Sequence, residues 1–168
     1  MGDTRRRGKV IWFLMTSRPD LVPVDLKRQG RAEEHLALFP PATVAERVQV
    51  FDRLRERLGI GLEPGVDTAA LLGETRDALS AADLEAILVR GGRRLAVAGQ
   101  KVLSAELLRE LIRDFQPPSY PLELEYQRLI AAFECTSRQL LPADLAAVPP
   151  EAIGARLAEL RAALGRPA

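Results

Sequence analysis

The hydrophobic pattern at the start of the chain contains two short apolar runs. Val10 to Met15 is a continuous stretch of six apolar residues, rich in types that favour β-strands. A strand inside a parallel sheet is covered on both faces, so it is apolar throughout rather than at alternate positions, and Val10–Met15 is therefore predicted to be a buried strand. A second short strand is predicted at His35–Phe39, where Pro40 and Pro41 end it.

After residue 42 the apolar spacing becomes helical. Thr43 and Glu46 have the spacing of a capping box, and Gly59 is a typical stop, so a helix is predicted between these signals. A shorter helix is predicted near Thr68 to Arg76. The apolar positions of the first helix recur every three or four residues at Val44, Val48, Phe51, Leu54 and Leu58.

Four further helices are predicted towards the carboxyl end. Ser80 and Asp83 repeat the capping box, and Ser104 is the N-cap of the next predicted helix. Two more helices are expected at about Leu122–Leu140 and Glu151–Leu164, separated by a proline-rich stretch. The chain is thus predicted to contain two strands, then a helical domain and a helical tail.

Composition and charge narrow the class of protein. The 168 residues are 47% hydrophobic and 28% charged, which suits one domain with a core and a polar surface. The net charge of +1 gives no electrostatic reason to expect nucleic acid or a membrane as partner. Cys135 is a lone cysteine, and no apolar run reaches the ~18 residues of a membrane span. The chain is interpreted as a cytoplasmic protein.

Several motifs, in a particular order, point to a family. "TSRPDL" follows the first apolar run, and "RQGR" follows that; "DTAALLGETRDALSAADLEAIL" and "KVLSAELLRELIRDFQPP" come later. From residue 9 to 118 the chain resembles the second half of the core of a classical AAA-type ATPase. The resemblance implies three segments: a remnant of the nucleotide-binding subdomain at 1–58, a helical lid at 59–118 and a helical extension at 119–168. The implied fold is mainly α with a small β remnant, the C-terminal part of an α/β P-loop NTPase core followed by a helical lid and tail.

The resemblance also implies roles for individual residues. Ser17 matches sensor 1, the polar residue at the end of a strand that holds the attacking water. Arg28 and Arg31 match the arginine fingers, which in the family reach the ATP of the neighbouring subunit and neutralise charge on the transferred phosphate. Ala81 and Ala82 match the lid turn beside the adenine. A strand-capping serine and two solvated surface arginines are the plainer interpretations of the same residues.

Two elements of the family's site do not occur in the sequence. It contains no Gly-x-x-x-x-Gly-Lys-Ser/Thr phosphate loop (Walker A) and no apolar strand ending in paired acidic residues (Walker B). ATP and Mg²⁺ are implied by the family, but this chain alone is expected neither to bind nor to hydrolyse ATP. The sequence is expected to start midway through a nucleotide-binding domain.

Two functional hypotheses follow from the resemblance. In the first, the chain is part of an AAA ATPase and contributes sensor 1, arginine fingers and lid to a homo-oligomeric ring, a hexamer in the parent, that remodels a protein substrate. In the second, it is a stand-alone, non-catalytic helical adaptor or interaction module related to the AAA lid. The region 119–168 lies beyond the resemblance, and its amphipathic pattern suits packing on the lid or binding a partner. A plain helical scaffold is a third interpretation.

Overall fold

The structure is a computed structural model that describes residues 8–28, 30–75 and 79–166. The described chain is mainly helical with one very small parallel sheet, which agrees with the predicted class. The helices are α1 (Val24–Lys27), α2 (Val44–Leu58), α3 (Thr68–Gly73), α4 (Ala81–Ala98), α5 (Ala105–Asp114), α6 (Pro121–Glu134), α7 (Ala143–Ala146) and α8 (Pro150–Ala163), and the strands are β1 (Gly61–Leu62) and β2 (Val102–Leu103).

The chain forms two compact units. Among the described residues, 8–28, 30–39 and 120–166 form one unit, and 40–75 and 79–119 form the other. In the central part of the chain, α2 packs against α3 and α4. The division into three segments, 1–58, 59–118 and 119–168, stays a prediction. We call the two units the split unit and the central unit.

The central unit follows the predicted helix signals closely. The Thr43 hydroxyl accepts the backbone N–H of Glu46, and the Glu46 carboxylate accepts the N–H of Thr43, so the predicted capping box is confirmed. Gly59 ends α2 with a φ of 67°, a left-handed conformation that glycine adopts without strain. The capping box of Ser80 and Asp83 at the start of α4 is confirmed as well.

The core of the central unit lies between α2, α3, α4 and α5. Its buried side chains are apolar, and they come from these four helices, from β2 and from the loop before α4. Gly91 lets α4 approach its neighbours closely, because a Cβ there would lie 3.1 Å from side-chain atoms of Leu103 and Leu111. The buried core residues are Phe51, Leu71, Leu72, Leu79, Leu84, Ile87, Leu88, Leu95, Leu103, Leu108, Leu111 and Ile112.

The sheet of the described chain is not where the sequence predicted strands. Gly61 pairs with Val102 and Leu62 with Leu103 in a parallel register. By contrast, Val10–Met15 forms no strand, and its six side chains are exposed at 45–93%. The predicted buried strand is therefore wrong for the described chain. A strand needs a neighbour for its backbone hydrogen bonds, and none of the described residues supplies one to this segment.

The second predicted strand, His35–Phe39, is also wrong. The backbone N–H of His35 donates to Thr136 Oγ1 at 3.0 Å, and the N–H of Thr136 donates to the His35 carbonyl at 3.0 Å. These groups are therefore used in a link between two loops, and no sheet ladder forms there in the described chain.

The split unit is centred on α6 and α8. Its buried core is Tyr126, Ile130, Ile153, Leu157 and Leu160. The prediction of a helix to Leu140 is too long, since α6 ends at Glu134, Cys135 has extended backbone angles, and a separate 3-10 turn follows at Arg138–Leu140. The prediction for α8 is confirmed within one residue at each end.

Two further observations concern the end of α3 and the length and apolar character of the helices. Arg76, where the short helix predicted from Thr68 was expected to end, lies outside the described residues; the observed helix α3 ends at Gly73. Within the described parts of the chain, no helix combines the length and the apolar character needed to cross a membrane.

Candidate functional site

The turn after α1 brings the two predicted finger arginines together. Arg28 is the C-cap of α1, and the N–H of Arg31 donates to the Arg28 carbonyl at 3.1 Å. Gly30 has a φ of 87°, a conformation that favours glycine and that turns the chain back at this point. Arg28 and Arg31 therefore lie on one short turn in the split unit, which we call the arginine turn (Arg28, Gly30 and Arg31).

Asp25 contacts both arginines of this turn. Its carboxylate Oδ1 lies 3.4 Å from Arg28 Nε, and its backbone carbonyl accepts Arg31 Nη1 at 3.0 Å. The Arg28 and Asp25 side chains are 72% and 68% exposed, so solvent screens their charges and the ion pair is weak. An anion with greater charge than one carboxylate could therefore take Asp25's place beside Arg28.

The neighbouring acidic residues have other partners. Glu33 Oε1 accepts the backbone N–H of Gly30 at 3.0 Å, which braces the turn. Glu34 Oε2 lies at 3.5 Å from Thr136 Oγ1, at the limit of a hydrogen bond. Asp25 is the residue that sequence reasoning missed here, although its position three residues before Arg28 is the spacing at which opposite charges meet on a helix.

Two half-buried contacts attach α1 and the segment after it to the end of α6. Lys27 Nζ forms an ion pair of 2.6 Å with Glu134 Oε1. His35 Nδ1 lies 3.1 Å from the Glu134 carbonyl, so this ring nitrogen must be the donor. The arginine turn lies between these two attachments in sequence, which limits how far it can swing away from α6.

Ser17, the predicted sensor 1, is exposed in the loop just before a 3-10 turn at Pro19–Leu21. Its two chain neighbours in "TSRPD" are better anchored. Arg18 donates to both carboxylate oxygens of Asp20, at 2.9 and 2.7 Å, and the Arg18 N–H donates to Thr16 Oγ1 at 2.9 Å. The "TSRPD" segment is thus shaped by its own side chains, and Ser17 is presented to solvent.

Asp20 joins this segment to the core of the split unit. The buried Tyr126 donates its hydroxyl to Asp20 Oδ2 at 3.1 Å. The bidentate hydrogen bonds from Arg18, helped by the one from Tyr126, lower the pKa of Asp20 from its usual 3.8 to about 2. Tyr126 belongs to the amphipathic pattern of the region 119–168, and no local signal reveals a partner more than a hundred residues away.

Tyr126 is also surrounded by cationic side chains of the split unit. Arg161 Nε donates to its hydroxyl at 3.3 Å. The guanidinium of Arg166 lies over its ring, 4.4 Å from the centroid, and pairs with Glu123. Together with Asp20 these groups fix the loop that carries Ser17 relative to α6 and α8.

Ala81 and Ala82 lie in the central unit, in the first turn of α4, with exposed side chains. The Asp83 carboxylate accepts both the N–H of Ser80, at 2.8 Å, and the Ser80 hydroxyl, at 2.6 Å. The "SAAD" motif is therefore fully accounted for as a helix N-terminus. Its two alanines expose small side chains at that end of α4.

Two grooves of the described surface are lined by none of the predicted site residues. One, of about 500 Å³, is lined by Leu71, Glu74, Thr75, Arg109, Ile112, Arg113 and Phe115, and its two arginines share Glu74 at 3.2 and 3.3 Å. The other, of about 450 Å³, lies along α4 near Val97. Within the described residues no group of three or more His, Cys, Asp or Glu side chains is placed to hold a metal ion.

Comparison with known proteins gave no relative: no protein-family model, curated protein or solved structure matches the chain.

Proposed function

We propose that this chain contributes trans-acting arginines and a helical lid to ATP hydrolysis in an AAA-type assembly. The observation that carries the proposal is the arginine turn, in which Arg28 and Arg31 are three residues apart, exposed, and both in contact with Asp25. In this proposal neighbouring subunits hold ATP and Mg²⁺, and the assembly uses hydrolysis to remodel a protein.

The chemistry of phosphoryl transfer accounts for such a pair. Negative charge develops on the transferred phosphate, and a planar guanidinium can donate two parallel hydrogen bonds to its oxygens. The phosphate carries more charge than the Asp25 carboxylate, so it competes well for Arg28. Supplying such an arginine raises the rate by roughly 10³–10⁵ in well-studied nucleotide hydrolases.

The order and capping of the central-unit helices support the lid part of the proposal. The "SAADL" segment opens α4, and α5 follows over the stretch whose sequence resembles the last lid helix. The small side chains of Ala81 and Ala82 would allow a flat ring such as adenine to approach the first turn of α4. Ser17, exposed beside the anchored Arg18–Asp20 pair, would orient the attacking water through its hydroxyl.

The test requires the chain in its assembly. The tagged chain is purified together with its associated subunits, and ATP turnover is compared for wild type, Arg28→Ala and Arg31→Ala. Both variants should lower kcat by at least about 100-fold while nucleotide affinity stays the same. Arg53→Ala is the matched control, because Arg53 is exposed and pairs with Glu56 at the same 3.4 Å and the same sequence spacing.

Two results would remove the proposal. Unchanged turnover in Arg28→Ala and Arg31→Ala would show that the pair does not act on a phosphate. Micromolar ATP binding by the purified chain alone, measured by calorimetry, would contradict the division of the site between this chain and its partners.

A non-catalytic helical adaptor is the second candidate, and one observation favours it. Each unit has its own core of fully buried side chains, such as Leu84 in one and Tyr126 in the other, which suits modules that fold without a catalytic partner. An adaptor would join the assembly normally and leave its turnover insensitive to Arg28→Ala.

A further inference from the structure

The groove of about 500 Å³ in the central unit combines an apolar wall with two arginines. Leu71, Ile112 and Phe115 supply the apolar wall, and Arg109 and Arg113 lie one helical turn apart on α5. The volume falls within the roughly 300–1,000 Å³ of ligand sites in general. We call this groove the α5 groove. The proposed ATPase role makes no use of it.

The two arginines of the α5 groove share a single carboxylate. Arg109 Nε donates to Glu74 Oε1 at 3.2 Å, and Arg113 Nη2 donates to Glu74 Oε2 at 3.3 Å. A guanidinium has five N–H donors, and the described chain supplies no further acceptor to either of these two. Two positive charges therefore face one negative charge, and donors remain for a second carboxylate.

The apolar wall decides which kind of carboxylate fits. An apolar side chain next to the carboxylate would remove the surface of Ile112 and Phe115 from water, whereas a bare inorganic anion would leave it wet. The guanidinium of Arg90 lies over the Phe115 ring, 5.1 Å from its centroid, so the ring is already held in place. The ligand is thus expected to carry a negative charge and an apolar group side by side.

The openness of the α5 groove favours a peptide over an enclosed small molecule. The Arg109 and Arg113 side chains are 38% and 71% exposed, so the charged side of the groove faces solvent. Sites for small molecules bury most of their ligand's surface. A segment of polypeptide laid across the surface can use both the arginines and the apolar wall without being enclosed.

We propose that the α5 groove binds a peptide segment of a partner protein in which an Asp or Glu adjoins a bulky apolar residue. The peptide carboxylate accepts N–H groups of Arg109 and Arg113, and the apolar side chain packs against Ile112 and Phe115. Hydrogen bonds from guanidinium to carboxylate are charge-assisted and directional, so they orient the segment. Glu74 competes with the peptide for both arginines. This binding does not depend on the ATPase proposal.

Titration of the full chain with peptides, followed by NMR, tests the proposal. The probe is Gly-Leu-Glu-Phe-Gly with an acetyl and an amide end, so that its glutamate carries its only charge. It should shift the amide signals of Ile112 and Phe115 and the Nε–H signal of Arg109. Replacing the probe's glutamate by glutamine, or its leucine and phenylalanine by alanine, should weaken binding by at least about fivefold.

Variants of the chain test the same contacts from the other side. Arg109→Gln and Arg113→Gln should each weaken binding of the glutamate probe by at least about tenfold, because a charge-assisted hydrogen bond is lost. Glu74→Gln should strengthen it by about threefold or more, because the competing carboxylate is removed. Arg57→Gln is the matched control, since Arg57 pairs with Glu85 of another helix at 2.7 Å and does not line the groove.

Several results would overturn the proposal. No binding of the glutamate probe to the wild type would do so, as would equal affinity for the glutamate and glutamine probes. Weaker binding in Glu74→Gln would show that the carboxylate of Glu74 does not compete with the ligand. Binding of inorganic phosphate or 4-phenylbutyrate without binding of the peptide would make the groove a site for a small anion instead. The probe substitutions decide the question even where a variant fails to fold.

Discussion

The two units of this protein begin their helices in different ways. In the central unit, each of the helices α2, α3, α4 and α5 starts at an N-cap residue whose side chain accepts a backbone N–H. These N-cap residues are Thr43, Asp67, Ser80 and Ser104 respectively. In the split unit α1, α6, α7 and α8 have no such cap, and proline occupies the N-cap or the first helical position of each. Local sequence signals therefore define the helices of the central unit more strongly.

The split unit relies on contacts between residues far apart in sequence. Asp20 reaches Tyr126, Lys27 reaches Glu134, and the loops at 35 and 136 exchange hydrogen bonds. Each of these contacts spans about a hundred residues, whereas the capping contacts of the central unit span three. The two units should thus respond differently to acid, to changes in packing and to changes in capping.

The stability of the two units should differ most in acid. The pKa of Asp20 is lowered to about 2, so its ionised form stabilises the split unit fully above the unfolded value of 3.8, and this stabilisation is lost as pH falls from about 4 to about 2. The shift corresponds to at most about 2 kcal/mol, since Arg18 is partly exposed. Hydrogen exchange of α6 and α8 across this pH range measures the loss.

Asp20→Asn tests the assignment of this acid effect. The variant should be less stable at neutral pH by a similar amount, and its split unit should depend less on pH between 4 and 2. Asp144→Asn is the control, because Asp144 pairs with Arg128 in the same unit but is mostly exposed. If the stability of the split unit lost its dependence on pH equally in both variants, Asp20 would have no special part in the acid response.

Replacing a helix glycine by alanine should change the stability of the two units in opposite directions, by a smaller amount than acid does. Gly91→Ala puts a Cβ 3.1 Å from side-chain atoms of Leu103 and Leu111, both buried, so crowding outweighs the gain in helix propensity and costs about 1 kcal/mol. Gly154→Ala in α8 meets only a Phe133 side-chain atom, at 3.9 Å, and should stabilise its helix by about 0.5–1 kcal/mol. Urea denaturation of both variants checks the opposite signs; stabilisation by Gly91→Ala would mean that the leucines move aside freely.

The same difference between the units explains which features the sequence could predict. The capping boxes at Thr43 and Ser80, the stop at Gly59 and the helices between them depend on residues within a few positions of one another, so a local pattern contains them. Val10–Met15 has the composition of a buried strand, but burial depends on a neighbouring strand that the described chain does not provide.

For the candidate site, sequence reasoning located the arginines but not what surrounds them. Arg28 and Arg31, which the resemblance singles out, lie on one turn, and their role as arginine fingers stays a prediction. The contact with Asp25 was predictable in principle from the charge pattern around α1. The link from Asp20 to Tyr126 was not, because nothing near either residue indicates the other.

Adding a side-chain cap to a helix of the split unit tests the difference between the two units through the smallest expected effect. Tyr120 is the N-cap of α6, with Pro121 at the first helical position and Glu123 at the third, so Tyr120→Ser would complete the Ser-x-x-Glu arrangement of a capping box. A new cap of this kind should stabilise the split unit by about 0.5 kcal/mol, because the hydroxyl satisfies an N–H that now has no side-chain acceptor. The gain stays small because Glu123 also pairs with Arg166.

The reverse change belongs in the central unit. Ser80→Ala removes an existing cap and should cost the central unit about 1 kcal/mol. Hydrogen exchange of α6 and α4 in the two variants reports each effect in its own unit. If Tyr120→Ser gave no gain while Ser80→Ala gave its full loss, long-range contacts such as Asp20–Tyr126 would already set the start of α6, and local capping would matter only in the central unit.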